Sequence, residues 1–166
     1  MLIFGHVGLT LAAARRLKSS LSFPAIAAVS LAQDLIDKPL RYFFLSDFCR
    51  GNTRTVAHSV TGSFILACLI YAVLRWRRIQ GALWVFPLIF LHLIFDMMWH
   101  PLMRVSLFWP WMGNEFPLLQ ESGWSGLREH IKRDVFSFWN IIGESLGLWI
   151  LIGELKRRRI DIRNSR

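Results

Sequence analysis

The sequence predicts an all-α fold, a multi-pass membrane helical bundle of about four to five helices. Three observations carry that prediction. The chain is 54% hydrophobic and only 19% charged, with eight Trp and thirteen Phe, which is too apolar for an ordinary soluble domain of 166 residues. Its apolar residues are gathered into uncharged runs of helical length. Its basic residues fall between those runs, in clusters that a simple alternating path collects on one side.

The first run, Met1 to Ala14, is followed by Arg15, Arg16 and Lys18. A signal peptide carries its positive charge before the apolar stretch, so this run does not read as one. It is also short of the roughly 20 residues of a full span. Ser19 to Gln33 is the second run and leads into Asp34-Leu-Ile-Asp37-Lys38-Pro39, where the proline predicts a helix end near Asp37 or Lys38. Residues 1–37 therefore read as a helical hairpin with a basic turn, either spanning or partly embedded. Leu40 to Val56 is a connecting segment with a turn signal at Gly51-Asn52. The third run, Ser59 to Leu74, is entered through Arg54-Thr-Val-Ala-His58 and ends in Arg75-Trp-Arg77-Arg78. The fourth, Ile79 to Phe95, leads to His92 and Asp96. His100 to Asp134 is a long segment rich in Trp, Pro and Gly. The last run, Val135 to Gly153, is interrupted only by Glu144 and is followed by Lys156-Arg-Arg-Arg159. Residues 1–155 form one membrane-embedded domain in this reading, and 156–166 a basic tail.

A net charge of +9 invites a nucleic-acid partner, but the location of the charge argues for topology instead. The Arg15–Lys18 and Arg75–Arg78 turns hold three basic residues each and the tail from Glu154 six, together twelve of the chain's twenty. That side keeps only Glu154 and Asp161 as acids and is expected to be cytoplasmic, with no nucleic acid involved. Cys49 and Cys68 have neither metal-binding nor disulfide spacing.

The same path makes a second prediction. His6 starts the first run, Asp34 and Asp37 end the second, His58 precedes the third, and His92 and Asp96 end the fourth. All six fall at the face opposite the basic clusters. His92 and Asp96 are four apart on one helix face, and Asp34 and Asp37 three apart. Ionisable groups at the ends of such apolar helices are costly unless paired, metal-bound or facing a cavity. Three imidazoles and three carboxylates suit one or two divalent ions, Zn²⁺, Mn²⁺ or Fe rather than Ca²⁺. The absence of candidate cysteines points away from a closed structural zinc site and toward an open, hydrolytic one. Glu144, mid-run, is a ligand, a general base, a partner of Arg54 or His6, or, in protonated form, a structural interhelical hydrogen bond. Arg54 either recognises an anionic substrate such as phosphate or meets lipid headgroups. His100, beside Pro101, reads as a loop residue.

Taken in order, Asp34-Leu-Ile-Asp37-Lys38-Pro39-Leu40, Arg54-Thr-Val-Ala-His58-Ser59, His92-x3-Asp96-Met-Met-Trp99 and Leu107-Phe-Trp-Pro110, with the early Gly5-His6, resemble the YdjM-like family. That family is described as LexA-binding, inner-membrane-associated and metal-dependent hydrolases, and the resemblance covers roughly residues 1–112. It implies a small multi-pass α-helical membrane protein of the inner membrane in which His6, Asp34, Asp37, His58, His92 and Asp96 hold metal. The chain departs from the Leu-Pro-Asp-x-Asp-His stretch of many members. The proline is missing, the two carboxylates are one residue further apart, and Lys38 stands where a further ligand would be.

The expected function is an integral-membrane metal-dependent hydrolase of an ester or phosphoester, lipid or lipid-linked, at the outer face. A metal-activated water would be the attacking group, and Glu144 and Arg54 the catalytic candidates. The alternatives are a small metal-ion or solute transporter using the same cluster, and a non-catalytic adaptor whose basic tail docks a cytoplasmic protein or anionic lipid.

Overall fold

Each uncharged run becomes a helix whose length is set by the chemistry of its ends. The computed structural model describes residues 3–49, 52–113, 115–116 and 137–164, and within these the regular structure is helical, with no strand. The turn expected at Gly51 and most of the 100–134 segment lie outside the described residues.

Helix α1 is Ile3–Arg16, with Arg15 and Arg16 in the last turn, where positive charge meets the negative end of the helix dipole. It closes when Lys18 takes a left-handed φ of 55° and Ser19 N–H reaches back to the Ala14 carbonyl at 2.8 Å. Helix α2, Phe23–Pro39, starts with Pro24 in its first turn, where the missing N–H costs nothing. It runs past the end expected at Asp37 or Lys38. Pro39 is accommodated because the backbone widens at once into a π-helical turn, Leu40–Phe44, closed by Leu45 N–H on the Leu40 carbonyl at 2.7 Å. A four-residue α3, Ser46–Cys49, follows.

Helix α4, Val60–Trp76, is capped by Ser59, whose hydroxyl accepts the Gly62 amide at 2.9 Å. A Cβ at Gly62 would lie 1.9 Å from the Val56 carbonyl oxygen, so glycine lets the preceding loop fold down onto the start of α4. Gly81, with φ 78°, opens a 3₁₀ turn, Ala82–Trp84, that leads into α5, Val85–Phe95. The fourth run is thus partly turn, and its regular helix is only 11 residues long. After Pro101–Met103 and the short α6, Arg104–Leu107, the last helix is α7, Phe138–Asn164. It continues without a break beyond Lys156, so the expected tail begins as helix.

The core is built from Leu11 and Ala14 of α1, Ile26 and Val29 of α2, Ala67 of α4, and Val85, Leu88 and Ile89 of α5. Helix α1 packs on α2, α5 and α7, and α5 packs on α2 and α4. Three contacts fix α1 and α7 as parallel neighbours. Phe4 and Gly5 meet Glu144, Gly8 meets Gly147, and Arg15 pairs with Glu154. At the Gly8–Gly147 crossing the backbones touch, and a Cβ on Gly147 would sit 2.0 Å from the Phe4 carbonyl oxygen. Small residues are what allow two helix backbones to approach this closely.

Among the described residues one helix, Phe138–Arg157, is long and apolar enough to cross a membrane; Val60–Trp76 and Ala82–Phe95 are shorter apolar helices. Phe64, Ile65, Leu69 and Val73 of α4 and Phe138, Trp139, Trp149 and Leu155 of α7 are exposed. A water-facing surface rarely carries so many large apolar side chains along two helices.

Candidate metal centre

The six residues marked by the sequence come from α1, α2, the loop before α4, and the end of α5, and the bundle brings them to one end. Ligand atoms of Asp34, His58, His92 and Asp96 all lie within 4.8 Å of one another, and all four residues are buried.

Hydrogen bonds fix which imidazole nitrogen faces the cluster. His92 Nδ1 lies 2.7 Å from the Ser30 carbonyl oxygen, which can only accept, so Nδ1 carries the proton. His58 Nδ1 lies 2.8 Å from Asp37 Oδ2 and is likewise the donor. Both Nε2 atoms then point inward, 3.2 Å apart. Two lone pairs at that distance repel, so a proton or a cation must lie between them. In the ion-free chain the proton is on His58. Burial alone would lower its pKa, but hydrogen bonds and charge from Asp37 and Asp96 outweigh that and push it up to about 9.

The separations also suit a metal. With Zn–N bonds of about 2.0–2.1 Å, tetrahedral ligand atoms stand roughly 3.3 Å apart. His58 Nε2 is 3.4 Å from Asp96 Oδ2 and 3.7 Å from Asp34 Oδ1, and His92 Nε2 is 3.9 Å from Asp96 Oδ2. Two imidazoles with two carboxylates are a donor set for Zn²⁺, Mn²⁺ or Fe.

Asp37 stands one layer out. Its carboxylate accepts the amides of Thr55, Ala57 and His58 at 2.7, 3.0 and 3.2 Å, besides the His58 ring. This arrangement, a carboxylate steering an imidazole, is what orients metal-bound histidines elsewhere. His6 is completely buried, stacked on His92 with ring centroids 4.1 Å apart. Its Nε2 lies 3.1 Å from Asp96 Oδ1, but neither ring nitrogen makes a hydrogen bond among the described residues. A buried imidazole without one is costly, and a nearby cation would satisfy the ring nitrogen that carries the lone pair.

Arg54 donates from Nε to Asp96 Oδ2 at 2.7 Å, and Lys38 pairs with Asp34 at 2.8 Å. For Asp96, burial opposes ionisation, yet Arg54, with His58 and His6, holds the carboxyl well below the usual carboxylate range.

Glu144 is engaged with α1. Its two oxygens accept the amides of Phe4 and Gly5, each at 2.9 Å. Of the roles open to it from sequence, the interhelical hydrogen bond is the one with contacts, made by both carboxylate oxygens at a helix start, where negative charge is favoured. His100 is exposed and accepts its own turn's Leu102 amide.

Sequence reasoning missed the residues that hold the His58 loop. Gln33 donates to the Ala57 carbonyl at 3.0 Å and to Ser63 Oγ at 2.7 Å, and Asn52 donates to Ser106 at 3.0 Å. The available signal was their polarity: Ser30 and Gln33 lie on an apolar helix close to Asp34.

No curated protein and no solved structure matches the chain. A family model does, the one described as YdjM inner membrane protein, over residues 1–154. The polar positions that converge here are those on which the resemblance rested, and the chain belongs to this family of inner membrane proteins.

Proposed function

We propose that the chain is a multi-pass inner-membrane, metal-dependent hydrolase of an ester or phosphoester, with its metal centre toward the outer face. The observation that carries this reading is the pair of inward Nε2 atoms 3.2 Å apart beside two carboxylates. When bound, a divalent ion supplies Lewis acidity and a water that ionises near neutral pH. Asp34, His58, His92 and Asp96 are the ligands in this reading, with His6 as a further one. Asp37 and the Ser30 carbonyl orient His58 and His92, and Arg54 holds Asp96 ionised.

The topology rests on the basic turns. A Cβ at Gly81 would lie 2.2 Å from Ser20 Oγ, which puts the turns after α1 and α4 at one end of the bundle, away from the centre. Arg15, Arg16, Lys18, Arg75, Arg77 and Arg78 are exposed there. That end is cytoplasmic by the positive-inside rule, together with residues 156–166. Helices shorter than a standard span require thinning of the bilayer or anchoring at its interfaces.

Elemental mass spectrometry of the detergent-purified chain tests the centre. Near-stoichiometric Zn, Mn or Fe is expected, followed by metal-dependent hydrolysis of ester or phosphoester probes. A chain that takes up no metal even after incubation with Zn²⁺ or Mn²⁺ sinks the reading. For topology, Gly113→Cys should be labelled from outside and Asn164→Cys should not.

A further inference from the structure

The next inference rests on the metal reading and names the substrate class of the same site. The side chains of His6, His58 and His92 are sealed, at 0%, 0% and 1% exposure, whereas Lys38 and Arg54 are at 36% and 23%. A molecule approaching Asp34 and Asp96 from outside meets these two cations first. Each is tied to a different carboxylate: Lys38 to Asp34, one turn back along α2, and Arg54 to Asp96.

Asp34, Asp37 and Asp96 contribute three negative charges, and Lys38 and Arg54 two positive ones. Ligation requires neutral imidazoles, so a divalent ion at the four ligands adds two positive charges beside Lys38 and Arg54. Positive charge gathered in a poorly hydrated site favours an anionic ligand over a neutral one. Lys and Arg are donors only, and both are matched to phosphate oxygens, whereas a neutral ester brings no charge to meet them.

We propose that Lys38 and Arg54, one beside each cluster carboxylate on its exposed side, form an oxyanion pocket that selects a phosphate ester over a neutral carboxylic ester. The shared chemistry is a phosphoryl group, borne by a lipid headgroup or by a soluble phosphate compound.

The test uses the full chain in phosphatidylcholine nanodiscs, with inorganic phosphate as the probe, calorimetry as the readout and metal content measured on the same samples. Zn²⁺-loaded wild type should bind phosphate, and Lys38→Met and Arg54→Gln should each weaken it by about tenfold or more with metal retained. Lys38→Arg should restore most of the affinity. Displacement of phosphate by phosphatidic acid placed in the disc identifies a lipid headgroup as the source; no displacement identifies a soluble phosphate. Wild type that binds no phosphate, or equal affinity in wild type, Lys38→Met and Arg54→Gln, overturns the pocket. If Arg54→Gln does not fold, Lys38→Met alone decides. If wild type carries no metal, the metal reading falls by itself. Lys38-dependent phosphate binding to the ion-free chain then upholds the pocket, and its absence overturns it.

Discussion

The two ends of the bundle use the same backbone device and reach opposite electrostatic results. At the basic end, α1 and α4 close with Lys18 and Arg78 at φ 55° and 54°, and Ile79 N–H returns to the Leu74 carbonyl at 2.9 Å. At the site end, α5 closes the same way, with Met97 at φ 53° and Met98 N–H on the Leu93 carbonyl at 3.0 Å. The difference lies in the side chains. Those of the basic turns are exposed, where water screens their charge, and Arg15 also pairs with Glu154. Those of the site end face one another in a buried space, where each charge needs a partner. The basic end should therefore tolerate substitution better than the coupled site end.

The largest effect should come from breaking that unit. His92→Ala and Asp96→Ala should each reduce bound metal from near-stoichiometric to background while the protein stays inserted, checked by elemental analysis and membrane fractionation. Full metal retention in His92→Ala would remove the distinction between the ends. By contrast, Arg77→Ala at the basic end should leave metal content unchanged.

The supporting layer comes next. Asp37→Asn should weaken metal affinity by about 10–100-fold, because the His58 ring loses its anionic partner and one of the two accepting oxygens becomes an NH2 donor. The pH dependence should have a defined sign. In the ion-free chain His58 is held protonated up to about 9, above its ordinary value of 6.5. That contribution, about 3 kcal/mol, is fully present below the ordinary value and is lost as pH rises through 9. Metal competes with the same proton, so apparent affinity should rise with pH up to about 9. Thermal unfolding and metal titration from pH 6 to 10 would test both; a flat profile contradicts the assigned proton.

Glu144→Ala should destabilise by about 2 kcal/mol, since the Phe4 and Gly5 amides lose a charged acceptor. Glu144→Gln, which keeps one acceptor oxygen, should cost less. Denaturation midpoints of the two variants would rank them, and equal midpoints would count against the cap. The smallest effect is expected from the shared turns. Lys18→Gly and Met97→Gly should each stabilise by roughly 0.5–1 kcal/mol, because glycine adopts a left-handed φ without penalty. A gain at one end only would show that the two closures are not equivalent.

Much of this was legible in the sequence because it depends on one-dimensional order. Uncharged runs separated by basic clusters dictate helices and their alternation, and alternation alone places His6, Asp34, Asp37, His58, His92 and Asp96 at one end. Local chemistry also reads directly, as with Ser59 capping α4 or Arg15 and Arg16 closing α1. Pro39 misled, because a π-helical turn absorbs a proline that a regular helix would not, and a helix end predicted from one residue ignores what the following backbone can do.

What only the tertiary structure decided is the division of labour among like residues. Asp34 and Asp37 are both carboxylates on one face of α2, yet one joins the cluster and the other is taken by three amides of the folded-down loop. Nothing in their spacing separates them, because the loop's position depends on Gly62, Gln33 and Asn52 acting across the bundle. Glu144 is the same case: its partners lie 139 and 140 residues away, at the start of a helix that α7 meets through two glycines. Composition and period determined where polar groups gather. Which of them meet was settled by packing, since hydrogen bonds and metal-ligand distances are met within tenths of an ångström and spacing along the chain fixes position only to a helical turn.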